Sequence, residues 1–307
     1  MDIQPTTPVS ALVHSIADVV YARHGGHPLL LDILHPELVP PEPMPIIIWI
    51  HGGGWSYGDK RDTPHRFLAE HGFFCVSLNH RPSSERIFPA QIHDVKAAVR
   101  WLRAHAEEYR VDAAHIGVWG HSSGGHLAAL LGTSAGVPEL ESATEHAHRD
   151  GSSSGVQAVV AVSAPSDFLQ LGSPFEQPDL PIARFVGGPL REREATVRTA
   201  NPITHIRDSV PPFLIVHGER DAAVPIRQAE LLHEALKRTG AEVTFVRVAD
   251  AGHYLAARPD PQRTHGAASM HDQTVGMLTA DLERTILAFF DRHLRPSSRA
   301  VRHAAER

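Results

Sequence analysis

The chain has 307 residues, of which 42% are hydrophobic and 21% are charged, and its formal net charge is −6. This length fits one large α/β domain or two small ones, and the hydrophobic content is sufficient for a sizeable core. The negative charge argues against a nucleic-acid-binding protein.

Cysteine usage and the apolar runs bear on the compartment. The single cysteine, Cys75, lies inside an apolar run and cannot form an internal disulfide, so no disulfide framework indicates export. The N-terminus lacks a basic region followed by an apolar core, and no apolar run reaches membrane-spanning length. We therefore predict a cytoplasmic protein that does not associate with a membrane.

The first part of the chain predicts the edge and the first buried strands of a sheet. After a loose lead-in over 1–14, two β-like runs around the turn 23–28 indicate an antiparallel hairpin. The apolar run 46–50 lacks alternation, which predicts a strand buried on both faces. The predicted hairpin strands are 15–22 and 29–34, and the next elements are a helix over 62–71 and a strand over 73–79.

The rest of the chain alternates between helices and strands. This alternation predicts an α/β fold with a mostly parallel central sheet and helices on both faces. The polar insert 134–155 is expected to form a surface loop, and the interrupted segment 163–210 a small lid-like insertion. One domain over 15–294 then precedes a loose tail over 295–307. The predicted strands are 116–119, 156–162, 212–216 and 242–248, and the predicted helices are 91–107, 125–131, 228–238 and 282–293.

The segment Gly120-His121-Ser122-Ser123-Gly124 has the form G-x-S-x-G and lies between a predicted strand and a predicted helix. This context indicates a sharp turn that exposes Ser122 at the carboxyl end of the strand, as a nucleophile requires. The turn needs small residues on both sides of the serine, because its backbone is strained and close to both neighbouring elements, and Gly120 and Gly124 are expected to supply that freedom. The helix N-terminus would place the Ser123 N–H near a developing oxyanion. The alternative is a plain small-residue turn in which Ser122 only caps the helix.

A glycine loop, His51-Gly52-Gly53-Gly54-Trp55, follows the first buried strand. Such a backbone can turn its N–H groups toward a ligand oxygen, so Gly53 and Gly54 are the expected oxyanion donors together with Ser123. A phosphate-binding loop would need a Lys-Ser or Lys-Thr pair after the glycines, and none follows. Trp55 and His121 are expected to contact substrate.

A serine nucleophile needs a base, and the base needs an acid that orients it. In a parallel sheet both are expected on loops that follow later strands. His253, after the last predicted strand, is the candidate base, with His217 as a rival that a structural role would also explain. The candidate acids are Asp221, Glu219 and Asp250.

Several motifs together carry a resemblance to a known family. They are His51-Gly-Gly-Gly-Trp55 with Gly58-Asp59-Lys60, Phe88-Pro89-Ala90 with Trp101-Leu102, the run 116–130, Ser166-Asp167-Phe168, His217-Gly218 with Asp221 and Val224-Pro225, and Ala251-Gly252-His253. On these motifs the chain resembles the α/β-hydrolase superfamily, and more narrowly the hormone-sensitive-lipase-like and bifunctional acetylxylan/feruloyl esterases. The resemblance implies the α/β-hydrolase fold and the triad order Ser122, Asp221, His253, and it thereby favours Asp221 over Glu219.

Two departures from the family pattern concern the expected acyl pocket. His80-Arg81 stands where the relatives usually carry Tyr-Arg, and His121 and Ser123 flank the nucleophile where Asp or Ala is common. Both departures are expected to reshape the pocket. The loop after His253 is longer than in the family, and its part over 258–273 is expected to help to build the substrate rim.

These residues predict a serine carboxylesterase that acts on small-molecule esters with short-chain or aromatic acyl groups, through an acyl-enzyme on Ser122. The alternatives are an amide, formamide or lactone hydrolase with the same machinery, and a non-catalytic ligand-binding protein on the same fold. No metal or organic cofactor is implied, because the nucleophile, the base and the oxyanion donors all come from the chain. The sequence leaves the oligomeric state open, and a homodimer is among the states that it allows.

Overall fold

The computed structural model describes residues 12–141, 152–172, 175, 177–255 and 278–295. Within these residues eight strands form one sheet: β1 (Val13–His24), β2 (His27–Pro36), β3 (Met44–Ile50), β4 (Phe74–Leu78), β5 (Val111–His121), β6 (Ala158–Val162), β7 (Phe213–Gly218) and β8 (Val243–Val248). Their order in the sheet is β1-β2-β4-β3-β5-β6-β7-β8. Strand β2 runs antiparallel to both neighbours, whereas all other neighbouring strands are parallel.

The helices connect successive strands and cover both faces of the sheet. The α-helices are α1 (Arg66–Glu70), α2 (Ala90–Ala104), α3 (Ala106–Tyr109), α4 (Ser123–Thr133), α5 (Pro181–Val186), α6 (Glu194–Ala200), α7 (Arg227–Arg238) and α8 (Ala280–Leu294). Short 3-10 turns occupy Pro138–Leu140, Phe168–Gln170, Leu190–Arg193 and Pro202–His205. Among the described helices, none has both the length and the apolar character needed to cross a membrane.

Strand β3 shows why the sheet lies between two helical layers. All seven of its residues are buried. The side chains of Ile46 and Ile48 belong to the core that includes α2 and α4, whereas Ile47 and Trp49 belong to the core that includes α1 and α8. A strand that is covered on both faces carries apolar side chains without alternation. The predicted α/β fold is therefore confirmed, and so is the hairpin of β1 and β2 at the edge of the sheet.

Two predicted helices before β5 differ from the expectation. Helix α1 has five residues instead of the predicted ten because Thr63 precedes Pro64, and a residue in that position is pushed out of the helical region. The longer predicted helix divides into α2 and α3 at His105, where φ is −106° and ψ is 17°. The ring of His105 hydrogen-bonds to the carbonyl of Trp101 at 2.8 Å, so both side chain and backbone close the end of α2.

Some of the predicted segments lie outside the described residues. These are 1–11 and 296–307 of the predicted tails, 142–151 of the polar insert, and the loop part 258–273 after His253. The lead-in is shorter than expected, since β1 already begins at Val13.

Five buried histidines of the described chain have a pKa lowered from 6.5, because burial penalises the charged ring: His51, His65, His80, His121 and His126. In the unfolded chain a histidine titrates near its ordinary pKa of about 6.5. Below that pH the unfolded state therefore binds more protons than the folded state. The contribution of these histidines to stability is complete above about pH 6.5 and declines as the pH falls toward the folded pKa values.

His65 offers a test of this pH dependence. Burial lowers its pKa to about 3, its ring stacks on Trp49, and neither ring nitrogen has a hydrogen-bond partner among the described residues. We expect His65→Phe, which keeps the stacked ring, to flatten the pH dependence of the unfolding free energy by about 1.4 kcal/mol per pH unit between pH 6 and pH 4. Urea unfolding from pH 8 to pH 4 measures this, with His27→Gln at the exposed hairpin turn as control. Parallel curves for His65→Phe and the wild type would contradict the prediction.

Candidate active site

Ser122 lies on the sharp turn between β5 and α4. Its φ is 55° and its ψ is −121°, a conformation that a residue with a side chain adopts only under strain. A Cβ atom on Gly120 would overlap the backbone of Gly124, and one on Gly124 would overlap the carbonyl of Ile50. Neither glycine has a left-handed φ. The predicted close approach to the neighbouring elements is therefore confirmed, whereas the glycines do not use their conformational freedom: the strained conformation is that of Ser122 itself.

The imidazole of His253 connects Ser122 with Asp221. Its Nε2 lies 2.9 Å from Ser122 Oγ, and its Nδ1 lies 2.8 Å from Asp221 Oδ2. Asp221 follows β7 and His253 follows β8, so both lie at the carboxyl end of the sheet with Ser122. When Nδ1 donates its proton to the carboxylate, Nε2 is the nitrogen that can accept the proton of the hydroxyl. The arrangement meets the geometric requirements for a nucleophile, a base and an orienting acid.

The carboxylate of Asp221 is buried and fully hydrogen-bonded. Its Oδ1 accepts the N–H groups of Ala223 and Val224 at 2.9 and 2.8 Å, and His217 Nε2 lies 3.2 Å from its Oδ2. Burial alone would raise the pKa of Asp221, but the hydrogen bonds from His217, His253 and the backbone outweigh it and hold the pKa below its ordinary value. Asp221 is therefore ionised at neutral pH.

The rival candidates lie elsewhere. His217 is buried beside the acid, where its Nε2 also donates to the carbonyl of Val224 at 2.8 Å. Glu219 is exposed, and Asp250 pairs with Arg220 at the surface. Within the described ranges, no group of three or more His, Cys, Asp or Glu side chains is placed to hold a metal ion. The geometry thus separates His217, which contacts Asp221 alone of the two, from His253, which contacts both Asp221 and Ser122.

The backbone of His253 is itself held in place. His121 Nε2 donates to its carbonyl at 2.9 Å, and Ser163 Oγ donates to the same oxygen at 3.0 Å. Burial lowers the pKa of His121 to about 3, so the ring is neutral and can keep its second nitrogen unprotonated. Ser163 was not among the residues predicted for the site. The only signal for it was a serine directly after a buried strand that neighbours β5.

The glycine loop after β3 passes beside Ser122. A Cβ atom on Gly52 would lie 3.5 Å from Ser122 Cβ, and one on Gly53, whose φ is 117°, would overlap the backbone of Tyr57. Among the described residues, no carbonyl or side chain accepts the N–H groups of Gly53, Gly54 and Ser123. Unpaired backbone donors beside a serine are what an oxyanion hole requires.

Two cavities meet at Ser122 and His253. The lining of one is almost entirely apolar and that of the other is mixed, with the larger polar share, and we call them the apolar and the polar cavity. The apolar cavity has a volume of about 230 Å³, and the polar cavity has a volume of about 300 Å³. The apolar cavity is lined by Gly54, Trp55, Ser122, Ser123, Pro165, Leu171, Phe175, Leu180, Pro181, Ile182, Ala223, Val224 and His253. The polar cavity is lined by Gly52, Gly53, Gly54, Tyr57, Asp62, His121, Ser122, Pro181, Ala223, His253 and Tyr254.

Of the two departures from the family pattern, only one borders these cavities. Ser123 lines the apolar cavity and His121 lines the polar cavity. His80 lines neither, because its ring stacks on His51 with 4.7 Å between the ring centroids. Arg81 pairs with the buried carboxylate of Asp94 at 2.7 Å. The expectation that His80-Arg81 shapes the pocket is therefore not met by the described residues.

An eight-stranded, mostly parallel sheet with a serine on a strained turn between β5 and α4 defines an α/β-hydrolase. The chain belongs to the BD-FAE family, whose sequence model matches residues 31–236, more than half of the chain. Both findings confirm the resemblance and the fold that the sequence predicted.

Several of the similar proteins are esterases. Esterase LipC of Mycobacterium tuberculosis (strain ATCC 25618 / H37Rv) is 32% identical over 245 residues, which cover 75% of this chain and 58% of LipC. The chain therefore spans little more than half the length of this relative. A truncated carbohydrate esterase from gut microbiota superposes with a TM-score of 0.79 at 29% identity, over 94% of this chain and 98% of that one. Propionate-bound Est2 of the planctomycete Thermogutta terrifontis superposes with a TM-score of 0.67 at 27% identity, over 96% and 98%.

Proposed function

We propose that the chain is a serine carboxylesterase. The observation that carries the proposal is the continuous hydrogen-bonded series Asp221, His253, Ser122, which ends beside the unpaired N–H groups of Gly53 and Gly54. The esterases among its relatives and structural neighbours support the same reaction class. The triad that the sequence predicted is thus the one we assign.

The first half of the proposed reaction acylates the serine. His253 Nε2 takes the proton of Ser122 Oγ as this oxygen attacks the ester carbonyl carbon. The carbonyl oxygen becomes an oxyanion, which accepts hydrogen bonds from the N–H groups of Gly53, Gly54 and Ser123. The ionised carboxylate of Asp221 stabilises the imidazolium that forms. The imidazolium then gives its proton to the departing alkoxide, so an alcohol leaves and the acyl-enzyme remains.

The second half of the reaction releases the acid. A water molecule takes the place of the alcohol, and His253 removes its proton as the oxygen attacks the acyl carbon. The same three N–H groups stabilise the second oxyanion. Its collapse expels Ser122 Oγ, which regains a proton from His253, and the free carboxylic acid departs.

The apolar cavity is the site that we assign to the acyl group. A cavity of about 150 Å³ accommodates benzene, so 230 Å³ suits a short acyl chain or one aromatic ring rather than a fatty acyl chain. The polar cavity, with Tyr57, Asp62 and Tyr254, is then left for the alcohol. This division favours short or aromatic acyl esters of polar alcohols.

Segment 163–210 forms one wall of the apolar cavity, and we propose that it acts as the partial lid. Its described side chains at the cavity are all apolar, so they exclude water from the acyl group. They are Pro165, Leu171, Phe175, Leu180, Pro181 and Ile182.

A panel of p-nitrophenyl esters from acetate to palmitate tests the proposed function. We expect kcat/KM to be highest for acyl groups of two to about six carbons, because the apolar cavity is small. The p-nitroanilide of the best acyl group, measured in parallel, tests the amide alternative, and we expect it to react far more slowly. No turnover of any ester, or a maximum at palmitate, would overturn the proposal. Amide turnover that equals ester turnover would instead assign the chain to the amide hydrolases.

A further inference from the structure

Trp55 combines two roles at the proposed site. It directly follows the proposed oxyanion donors Gly53 and Gly54, and it lines the apolar cavity. Its φ is 57°, a left-handed conformation that is unfavourable for a residue with a large side chain. The carbonyl of Trp55 accepts the N–H of Ser83 at 2.7 Å, and contacts of the indole with the surrounding protein add to the stabilisation of this backbone conformation.

The described contacts of the Trp55 indole come from an aromatic cluster. Its ring stacks on Phe185 with 4.4 Å between the centroids and meets Phe168 edge-on at 5.6 Å. The ring of His126 also meets the indole edge-on, with 5.3 Å between the centroids. The directional contact is a hydrogen bond of 3.2 Å from Trp55 Nε1 to His126 Nδ1.

His126 lies on α4, one helical turn after Ser122, and its side chain is completely buried. Its Nε2 donates to the carbonyl of Ala200 at 2.8 Å, at the end of α6 in segment 163–210. One neutral tautomer, protonated on Nε2, satisfies both bonds. Burial lowers the pKa of His126 to about 4, so the ring is neutral at neutral pH. The two hydrogen bonds then select the tautomer that is protonated on Nε2.

We propose that His126 is a positioning residue that holds Trp55, and through it sets both the width of the apolar cavity and the placement of the Gly53 and Gly54 amides. The bond to Ala200 extends this coupling to the proposed lid. The inference rests on the proposed function, because it concerns the acyl group and the oxyanion of that reaction. Without the acceptor on His126, the strained Trp55 backbone can relax, which displaces the adjacent donors and opens the cavity wall.

Three substitutions at position 126 separate the two hydrogen bonds. His126→Phe keeps an apolar ring in the aromatic cluster and removes both bonds. His126→Asn keeps an acceptor where Nδ1 stood, next to Trp55, whereas His126→Gln keeps a donor where Nε2 stood, next to Ala200. His205→Phe is the matched control, because His205 also bonds to a backbone carbonyl within segment 163–210 but lines neither cavity.

On the p-nitrophenyl ester panel we expect His126→Phe to lower kcat for the best acyl ester about tenfold to a hundredfold, since a small displacement of the donors is costly. We also expect its acyl-length optimum to move to longer chains. His126→Asn should retain most of the wild-type kcat and the wild-type acyl-length optimum, whereas His126→Gln should retain neither. Trp55→Phe, which lacks the indole N–H, should reproduce the defect, and its effect should not add to that of His126→Phe. Additive effects, or an unchanged kcat and length profile in His126→Phe, would overturn the proposal.

A second readout does not depend on catalysis. The chain has four tryptophans, so a ¹H–¹⁵N spectrum shows up to four indole N–H signals, and Trp55→Phe identifies that of Trp55 by its loss. We expect His126→Phe to shift this signal and to accelerate its exchange with solvent, whereas His126→Asn preserves its protection. An unchanged Trp55 signal in folded His126→Phe would refute the positioning role. Absence of esterase activity in the wild type, with the expected change in this signal, would refute the proposed function instead.

Discussion

Ser122→Ala is expected to fold as the wild type does and to lose nearly all ester hydrolysis, with kcat lower by about 10⁴- to 10⁶-fold. The hydroxyl lies 2.9 Å from His253 Nε2, and without it no acyl-enzyme can form. The residual rate would come from the oxyanion donors and from substrate binding alone. Alanine keeps the Cβ atom at the strained turn, so the thermal midpoint should change little.

The matched control for Ser122→Ala is Ser134→Ala, at the other end of α4. Ser134 is buried and its hydroxyl lines neither cavity. The variant Ser134→Ala should therefore retain wild-type turnover of the ester. An organophosphonate should add one phosphonyl group to the wild type and to Ser134→Ala, and none to Ser122→Ala. Labelling of Ser122→Ala at another serine, with activity retained, would show that the nucleophile is assigned wrongly.

Asp221→Asn is expected to lower kcat by about 10⁴-fold with little change in KM. The N–H groups of Ala223 and Val224 both point at Oδ1, so the amide oxygen of the asparagine would take that position. Its NH₂ group would then face His253 Nδ1, which has to become the acceptor. The proton of the imidazole moves to Nε2, and that nitrogen can no longer take the proton of Ser122.

Glu219→Gln is the matched control for Asp221→Asn. It removes the other carboxylate of the same loop, which is exposed. Steady-state kinetics on the best ester should show less than a twofold change for this variant. A loss with Glu219→Gln that equals the loss with Asp221→Asn would mean that the acid of the triad is wrongly assigned.

Most elements of the fold were predictable because their signals are local. The apolar run over 46–50 has no alternation, and it forms the strand β3 that is buried on both faces. The glycine-flanked serine between a strand and a helix also specifies its own turn. The length of helix α1 was overestimated, although the sequence contains a signal for a later start. Thr63 precedes Pro64, and this pair was not treated as a limit of the helix.

The supporting contacts of the site were not predictable, because they join residues that are far apart in the chain. Ser163 holds the carbonyl of His253 across 90 positions, and Trp55 meets His126 across 71. No local sequence pattern determines which group forms a hydrogen bond with which ring nitrogen of a histidine. The role of His217 beside Asp221 likewise depends on how the loop after β7 folds back on its strand.

The sequence by itself determined the order of strands and helices, the serine turn and the glycine loop, since these follow from periodicity and short motifs. The choice of Asp221 as the acid of the proposed triad came from the resemblance to the family. The tertiary structure decided that Ser122 and His253, which are 131 positions apart, lie 2.9 Å from each other. It also decided that the strain lies on Ser122 rather than on its glycines, and that a small apolar cavity stands beside a polar one. These properties arise from the packing of many side chains at the carboxyl edge of one sheet, and packing of that kind is a property of the whole chain rather than of any segment.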